Sequence, residues 1–472
     1  MADTRPNIVL ITTDEQRGDC LGIAGHPAVQ TPYLDAMASS GAYFSSAYAA
    51  CPVCVPARRT LLTGQRPRTH GVLMNYDTTL SGPTLPGELS RAGYQTHLVG
   101  KLHLWPQRAR YGFDSTDWAD SPSAGRDNDY QRFLRREGIH QPRASDAHGM
   151  SANGWVVRPW HLDERLHFTT WCVDRAIDFL ERRDPTTPFF LNLSFLHPHQ
   201  PLTPPRDYYD RYLAMDLPEP YVGDWARVFD APQRGLPVEA WRVFLEPRVM
   251  KQYRAAYYAA IDHIDNQIGR LLPLLQANTM VVFTSDHGEM LGDHQWIRKR
   301  GPYEPSAHIP LLMRFPPTMG IPTGQRIAQP IELMDLMPTL LDVAGAPIPE
   351  TVEGRSVLPL LRGETAWRAY LHGECAEMPT LGSGMQYLTD GCWKYVWLPG
   401  LGVEQLFDLR DDPREMVNLA DDPANRAAVE HWRGILIHEL ADRPEGFTDG
   451  KTLLRLDGPT AFSLPGFARP TP

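Results

Sequence analysis

The chain has 472 residues, 42% of them apolar, enough for a large core in two or three packing units or one large α/β domain. Its 56 acidic and 46 basic side chains sum to −10 without a basic block, which argues against nucleic acid and anionic membranes as partners. No apolar run approaches the ~18 residues of a bilayer span, and Met-Ala-Asp-Thr-Arg-Pro lacks the layout of a signal peptide, so a globular, cytoplasmic protein is expected.

Asn7 to Thr13 is a continuous apolar run of buried-strand length, ending at Asp14 and Glu15. Thr31-Pro32, followed by Leu34 and Met37, predicts a capped helix with proline in its first turn. A helix closing at Gly93 precedes a strand over Tyr94 to Val99. His167 to Arg182 carries Phe168, Trp171, Cys172, Ala176, Phe179 and Leu180 on one helical face, and the strand Phe189 to Phe195 runs on to His197-Pro198-His199. A second long helix holds Tyr257, Ile261, Ile264, Ile268, Leu271 and Leu275, and leads to the strand Met280 to Phe283 and Ser285-Asp286-His287-Gly288.

Helix, apolar strand, then polar residues at the strand's carboxyl end is the repeated unit. It implies an α/β fold, with a large, mostly parallel sheet sandwiched by helices and ligands bound beyond the carboxyl ends of the strands. Two irregular stretches, roughly 106–165 and 200–250, are expected to wall a substrate pocket. Their tryptophans, with Trp105 and Trp118, are left unassigned because indole more often simply buries area. From 366 the texture changes to short runs, Gln386 to Thr389, Trp393 to Trp397 and Gln405 to Leu409, then a helix near 425–440. The expected division is therefore a catalytic α/β domain over 1–365 and a small C-terminal α+β subdomain over 366–472, ending in an extended tail.

Cys51-Pro-Val-Cys54-Val-Pro-Ala-Arg58-Arg59-Thr-Leu-Leu-Thr-Gly64 is the most informative segment. Pro56 suits the first turn of a helix and Gly64 its end. Cys54 then sits at the helix N-terminus, where free N–H groups favour an anion, with Arg58 one turn along on the same face. A nucleophile and a fixed cation beside an anion cradle suit transfer of a sulfuryl or phosphoryl group. Zinc binding by Cys51 and Cys54 would want a second cysteine pair, and the remaining cysteines (Cys20, Cys172, Cys375, Cys392) are isolated, with no disulfide framework implied.

These residues resemble the sulfatase family of the alkaline-phosphatase superfamily, whose signature is Cys-x-Pro-x-Arg followed by Leu-Thr-Gly. The resemblance extends through Pro6-Asn-Ile-Val-Leu-Ile-Thr-Thr-Asp14, Gly100-Lys101-Leu-His103, Pro198-His199-Gln-Pro201 and Ser285-Asp286-His287-Gly288-Glu289. It continues in Lys299-Arg-Gly-Pro-Tyr303-Glu304, Met334-Asp-Leu-Met-Pro-Thr-Leu-Leu and Leu406-Phe-Asp-Leu-Arg-Asp-Asp-Pro. It implies an alkaline-phosphatase-like fold and hydrolysis of a sulfate monoester to alcohol and sulfate. Cys54 would be oxidised to formylglycine by a formylglycine-generating enzyme, a transient partner, and its hydrate would be the nucleophile. Sulfate then leaves by collapse of the diol back to the aldehyde.

By the same resemblance Arg58 holds the diol and metal site, Lys101 and His103 contact diol and sulfate, and His199 and Lys299 hold sulfate and assist departure of the alcohol. Lys101 and His103 alternate, so an extended segment would project both to one side. Asn75 is a candidate hydrogen-bond partner of substrate, whereas His197 and His294 are assigned to packing. Asp14, Asp286, His287 and an oxygen on modified Cys54 would hold one divalent metal. Many members have a second Asp where Glu15 stands and Asn where His287 stands. An imidazole makes the site less hard, so manganese stands beside the family's habitual calcium, and Glu15 is not counted as a ligand. Ala57 replaces the usual Ser inside the signature.

The expected partner is a small-molecule or carbohydrate sulfate ester. One alternative is a phosphonate monoester or phosphodiester hydrolase using the same site, a class that includes cytoplasmic, manganese-binding members with an Asp-His pair. The other is a non-catalytic metal-binding or thiol protein with unmodified Cys54. The Pro-rich tail Ser463-Leu-Pro-Gly-Phe-Ala-Arg-Pro-Thr-Pro is read as a contact with a neighbouring subunit of a homo-oligomer.

Overall fold

Strand β1, Asn7–Asp14, is buried along its whole length and lies near the middle of an eight-stranded sheet. The other strands are β2 (Ala42–Phe44), β3 (Gln95–Gly100), β4 (Ser115–Trp118), β5 (Phe189–Pro198), β6 (Thr279–Ser285), β7 (Leu311–Arg314) and β8 (Gln325–Ile327), in the order β8-β2-β7-β6-β1-β5-β3-β4. Only β7 runs against its neighbours. The protein is seen in a computed structural model that describes residues 4–120, 127–140, 150–229, 232–234, 238–379, 381, 383–456, 458, 460–461 and 464.

Alternation along β1 divides the core. Ile8 and Leu10 face one apolar cluster, shared with Leu61 and Leu62, Leu85 and Leu89, and the helix Leu336–Val343. Val9 and Ile11 face the other, with Trp171 and Cys172 of the helix Phe168–Arg182 and Ile264 and Ile268 of Pro247–Leu271. Helices therefore cover both faces, which is why β1 reads as an uninterrupted apolar run. Each such buried side chain is worth ~1.5–3 kcal/mol of transfer free energy.

The long helix starts at Pro247, ten residues before the periodic run that announced it. The helix Pro32–Ser39 forms as expected, but Thr31 does not cap it with its side chain. Its hydroxyl accepts from Gly22 N–H, and the orphan amides of Tyr33 and Leu34 are taken by Asp265, in the long helix.

The irregular stretches contain β4 and the helices Asp129–Arg136 and Arg206–Ala214. The C-terminal unit is a four-stranded antiparallel meander, Leu371–Met378, Ser383–Thr389, Trp393–Leu398 and Val403–Asp408, packed on the helix Arg426–Glu439. Among the described residues no helix is long and apolar enough to cross a membrane. Of the expected subunit-contacting tail, Ser463 and residues 465–472 lie outside the described residues.

Candidate active site

β1 pairs in parallel with β6 on one side and β5 on the other, so their carboxyl ends bring Asp14, Asp286 and His199 to one edge. The fourth component arrives on the signature helix, Cys54–Thr63. Val53 precedes it in extended conformation, and Gly64 ends it at φ 65 in the left-handed region that glycine tolerates. Cys54 occupies the first helical position and is 1% exposed. Asn75 serves this helix: its Oδ1 accepts the Val55 N–H at 2.9 Å, so its carbonyl is committed to holding the signature turn.

Arg58 organises the acids. Its Nε donates to Asp286 Oδ2 at 2.9 Å and its Nη2 to Asp14 Oδ2 at 3.1 Å, while Nη1 reaches Ser194 Oγ at 2.9 Å and Lys101 O at 3.1 Å. Each carboxylate thus gives one oxygen to the guanidinium and turns the other, Oδ1, toward Cys54 and His287. Cys54 Sγ lies 3.7 Å from Asp14 Oδ1 and 3.2 Å from His287 Nε2. His287 Nε2 is 3.6 Å from Asp286 Oδ1 and 3.8 Å from Asp14 Oδ1. His287 Nδ1 lies 3.0 Å from the Gly288 carbonyl, which can only accept, so Nδ1 carries a proton and Nε2 faces the acids.

Burial and Asp14 push the Cys54 thiol up, but Lys101, Lys299 and His287 outweigh them and hold it well below the usual thiol range. Burial likewise opposes ionisation of Asp14, yet Lys101, His199, Arg58 and Lys299 keep it well below the usual carboxylate range. Asp286, facing burial and Asp14, is raised. Burial disfavours charge on His287, and Asp286 and Cys54 reverse this and raise it. Four ligand atoms, from Asp14, Cys54, Asp286 and His287, lie within 4.8 Å of one another, all buried. Two carboxylates, a thiol of lowered pKa and an imidazole nitrogen converge in low dielectric, with Arg58 and Lys101 occupied on the far carboxylate oxygens, so this donor set fits a divalent metal.

Lys101 forms an ion pair with Asp14 Oδ2, and Lys299 Nζ and His199 Nε2 each lie 3.4 Å from Glu15 Oε2. Burial alone would lower Lys299, but Cys54, Glu15 and Asp14 raise it. His103 departs from the expected extended segment. β3 ends at Gly100 and His103 takes φ 58, because Asp120 Oδ1 accepts both the Leu102 and His103 N–H groups and turns the chain. Lys101 is buried against Asp14, while His103 is half-buried with Nδ1 lacking a partner among the described residues.

The sequence profile of the Sulfatase family covers residues 6–346, and that of the N-sulphoglucosamine sulphohydrolase C-terminal region covers 292–441. An arylsulfatase of Clostridium perfringens (strain 13 / Type A) is 40% identical over 96% of this chain and 98% of its own. The chain belongs to the sulfatase family. A choline-sulfatase of Rhizobium meliloti (strain 1021) is 29% identical over 90% of this chain and 84% of its own. Among solved structures, the phosphonate monoester hydrolase of Agrobacterium radiobacter superposes with a TM-score of 0.79 at 25% identity, over 96% of this chain and all of that one. This sulfatase is accordingly a sulfuric ester hydrolase of alkaline-phosphatase-like fold.

Sequence reading gave no role to three supports of this sulfatase's site: Ser194, Asp120 and Ser285, the last quoted only as part of a motif. Ser285 Oγ lies 2.8 Å from the His287 carbonyl, and it accepts the Gln16 N–H at 2.9 Å. The one signal available was position, since each of the three lies on a strand or just past its carboxyl end. His197 and His294 are packing residues, as expected: one lies beside Thr169 and His167, the other under Trp225.

Proposed function

We propose that this sulfatase carries formylglycine at position 54, placed there by a modifying enzyme that it meets transiently. We further propose one divalent metal, calcium or manganese, held by Asp14, Asp286, His287 and an oxygen on the modified residue. The observation that carries the reading is the split use of the two carboxylates, Oδ2 to Arg58 and Oδ1 toward Cys54 and His287. A hydrated formylglycine supplies an oxygen nucleophile, and the metal supplies charge that orients it and the sulfuryl oxygens.

The chain's own residues do the rest. Arg58 fixes both acids, and Lys101, beside Asp14, places a positive charge where sulfuryl oxygens gain negative charge. His199 Nδ1 donates to the Gln200 carbonyl at 2.6 Å, so Nε2 is the nitrogen that faces the site. It passes a proton to the departing alcohol oxygen only from the doubly protonated ring, which burial and Lys299 disfavour and the negative charge of a bound sulfate ester favours. Lys299 stabilises the same oxygen. His103 and the amide nitrogen of Asn75, whose carbonyl holds Val55, complete the substrate side. The substrate class is a small sulfate ester, aryl by similarity to the arylsulfatase, or carbohydrate.

A second reading, phosphonate monoester hydrolysis on the same residues, is favoured by the fold likeness to that enzyme and by His287 in the acid cluster. The deciding measurement is kcat/KM for an aryl sulfate and an aryl phosphonate monoester on one preparation, with manganese and calcium supplied separately. Each tenfold preference corresponds to ~1.4 kcal/mol of differential transition-state binding. A preference for phosphonate overturns the first reading. Mass spectrometry of the peptide containing residue 54 tests the modification: an alkylatable thiol in active enzyme rules formylglycine out.

A further inference from the structure

Glu15 stands where a second metal-binding carboxylate would be expected, directly after Asp14, yet its side chain serves another end of the site. Its backbone sits at φ 71, a left-handed conformation that a β-carbon disfavours, so the surroundings must hold it there. They do: its N–H donates to Asp286 Oδ1 at 3.2 Å, and its carbonyl accepts from Tyr257 Oη at 2.7 Å. So held, the carboxyl falls outside the four-atom group of Asp14, Cys54, Asp286 and His287. With Asp14 and His199 it forms a second group close enough to hold a metal, but there its Oε2 lies 3.4 Å from Lys299 Nζ, an ammonium that a cation on that oxygen would repel.

Oε2 of Glu15 is 3.4 Å from Lys299 Nζ and also 3.4 Å from His199 Nε2. The two partners come from distant loops. Lys299 lies between Arg298 and Arg300, both at positive φ, and the Arg298 N–H is anchored on Glu289. His199 has its other ring nitrogen on the Gln200 carbonyl. One carboxylate oxygen between an ammonium and an imidazole therefore fixes how far apart those two groups stand and which way they face.

We propose that Glu15 is a positioning residue rather than a metal ligand: it clamps Lys299 and His199 together at the leaving-group side of the site. The inference rests on the reading of that pair as the groups that receive the departing alcohol oxygen. A leaving alcohol of low pKa departs with little help, whereas one of high pKa needs the proton and the positive charge together. Removing the clamp therefore penalises poor leaving groups and leaves the metal in place.

The test compares Glu15→Gln and Glu15→Asp with wild type in two measurements, metal content per chain and kcat over a series from 4-nitrophenyl sulfate to an alkyl sulfate. Both variants should retain wild-type metal content. Glu15→Gln should lose less than about tenfold on 4-nitrophenyl sulfate and about 10²-fold or more on the alkyl ester. Glu15→Asp, which keeps the carboxyl group on a shorter arm, should show the same trend more weakly. Loss of metal in Glu15→Gln, matching Asp286→Asn, would make Glu15 a ligand and overturn the proposal. An equal fall across the series in both variants would also overturn it, by reducing Glu15 to a structural role. Failure of the underlying reading is separable, because Lys299→Ala and His199→Ala would then lose no more on the alkyl ester than on 4-nitrophenyl sulfate.

Discussion

Two groups of buried charge, entered by Lys299 and Glu304, lie five residues apart along the chain and are closed in different ways. Lys394, wholly buried, meets Glu304 at 2.6 Å and Glu415 at 3.1 Å, and Glu415 also accepts the Glu304 N–H at 2.8 Å. Burial pushes Glu415 up to about 7 while Lys394 holds Glu304 low, so opposite charges meet within the cluster. Around Cys54 the geometry is inverted. Two carboxylates, a thiol and an imidazole are steered toward one another, while Arg58 and Lys101 grip the acids from behind. Buried charge that neutralises itself is scaffold, joining the C-terminal sheet to the loop that carries Lys299. Buried carboxylates that each leave one oxygen facing other donors fit a cation.

Substitutions in the two clusters should therefore fail differently. Asp286→Asn removes a charge from the converging set, and kcat/KM should fall about 10³-fold with loss of bound metal by elemental analysis. Arg58→Lys replaces a planar fork that spans four contacts by a single point charge that cannot bridge both carboxylates in the same geometry, so about a 10²-fold loss of kcat is expected with metal partly retained. Lys394→Met leaves two carboxylates without their cation, costing about 3–5 kcal/mol in denaturant unfolding, while kcat below the transition should change by less than about threefold. Activity lost in Lys394→Met without loss of stability would erase the distinction between the clusters.

The smallest effect concerns a third buried acid, Asp265. Burial pushes it up to about 7, and its hydrogen bonds to the Tyr33 and Leu34 amides only partly offset this. Its folded pKa is raised, so the folded chain binds the extra proton. That stability is present below the ordinary pKa near 4 and is lost as pH rises to about 7. Asp265→Asn should flatten this part of the profile: Tm measured from pH 4 to 8 should decline more in wild type than in the variant.

The buried strands and the signature helix were legible because their patterns are local: an apolar run, proline in the first turn, glycine after the last. Asp14, Asp286 and His287, which converge at the strand ends, were legible as strand-end motifs and through family resemblance. What escaped reading was conveyed by partners distant in sequence. Asp120 turns the chain after Lys101, so alternation misplaced His103. Asp265 caps a helix more than 220 residues before it, where Thr31 was the local candidate. Asn75 caps the signature helix from beyond its end. Each rests on one or two hydrogen bonds between segments that only folding brings together, and composition carries no trace of them.

The burial of Cys54 sets a schedule on the chain's synthesis. At 1% exposure its sulfur is beyond the reach of any macromolecular catalyst in the finished structure. Its enclosure depends on Asp286 and His287, which are made 232 residues later. At ~5–20 residues per second a ribosome takes roughly 12 to 46 s to cover that stretch. For that interval the signature segment exists without the strand that will shut it in, and chemistry on residue 54 has its opening before closure or during a later unfolding.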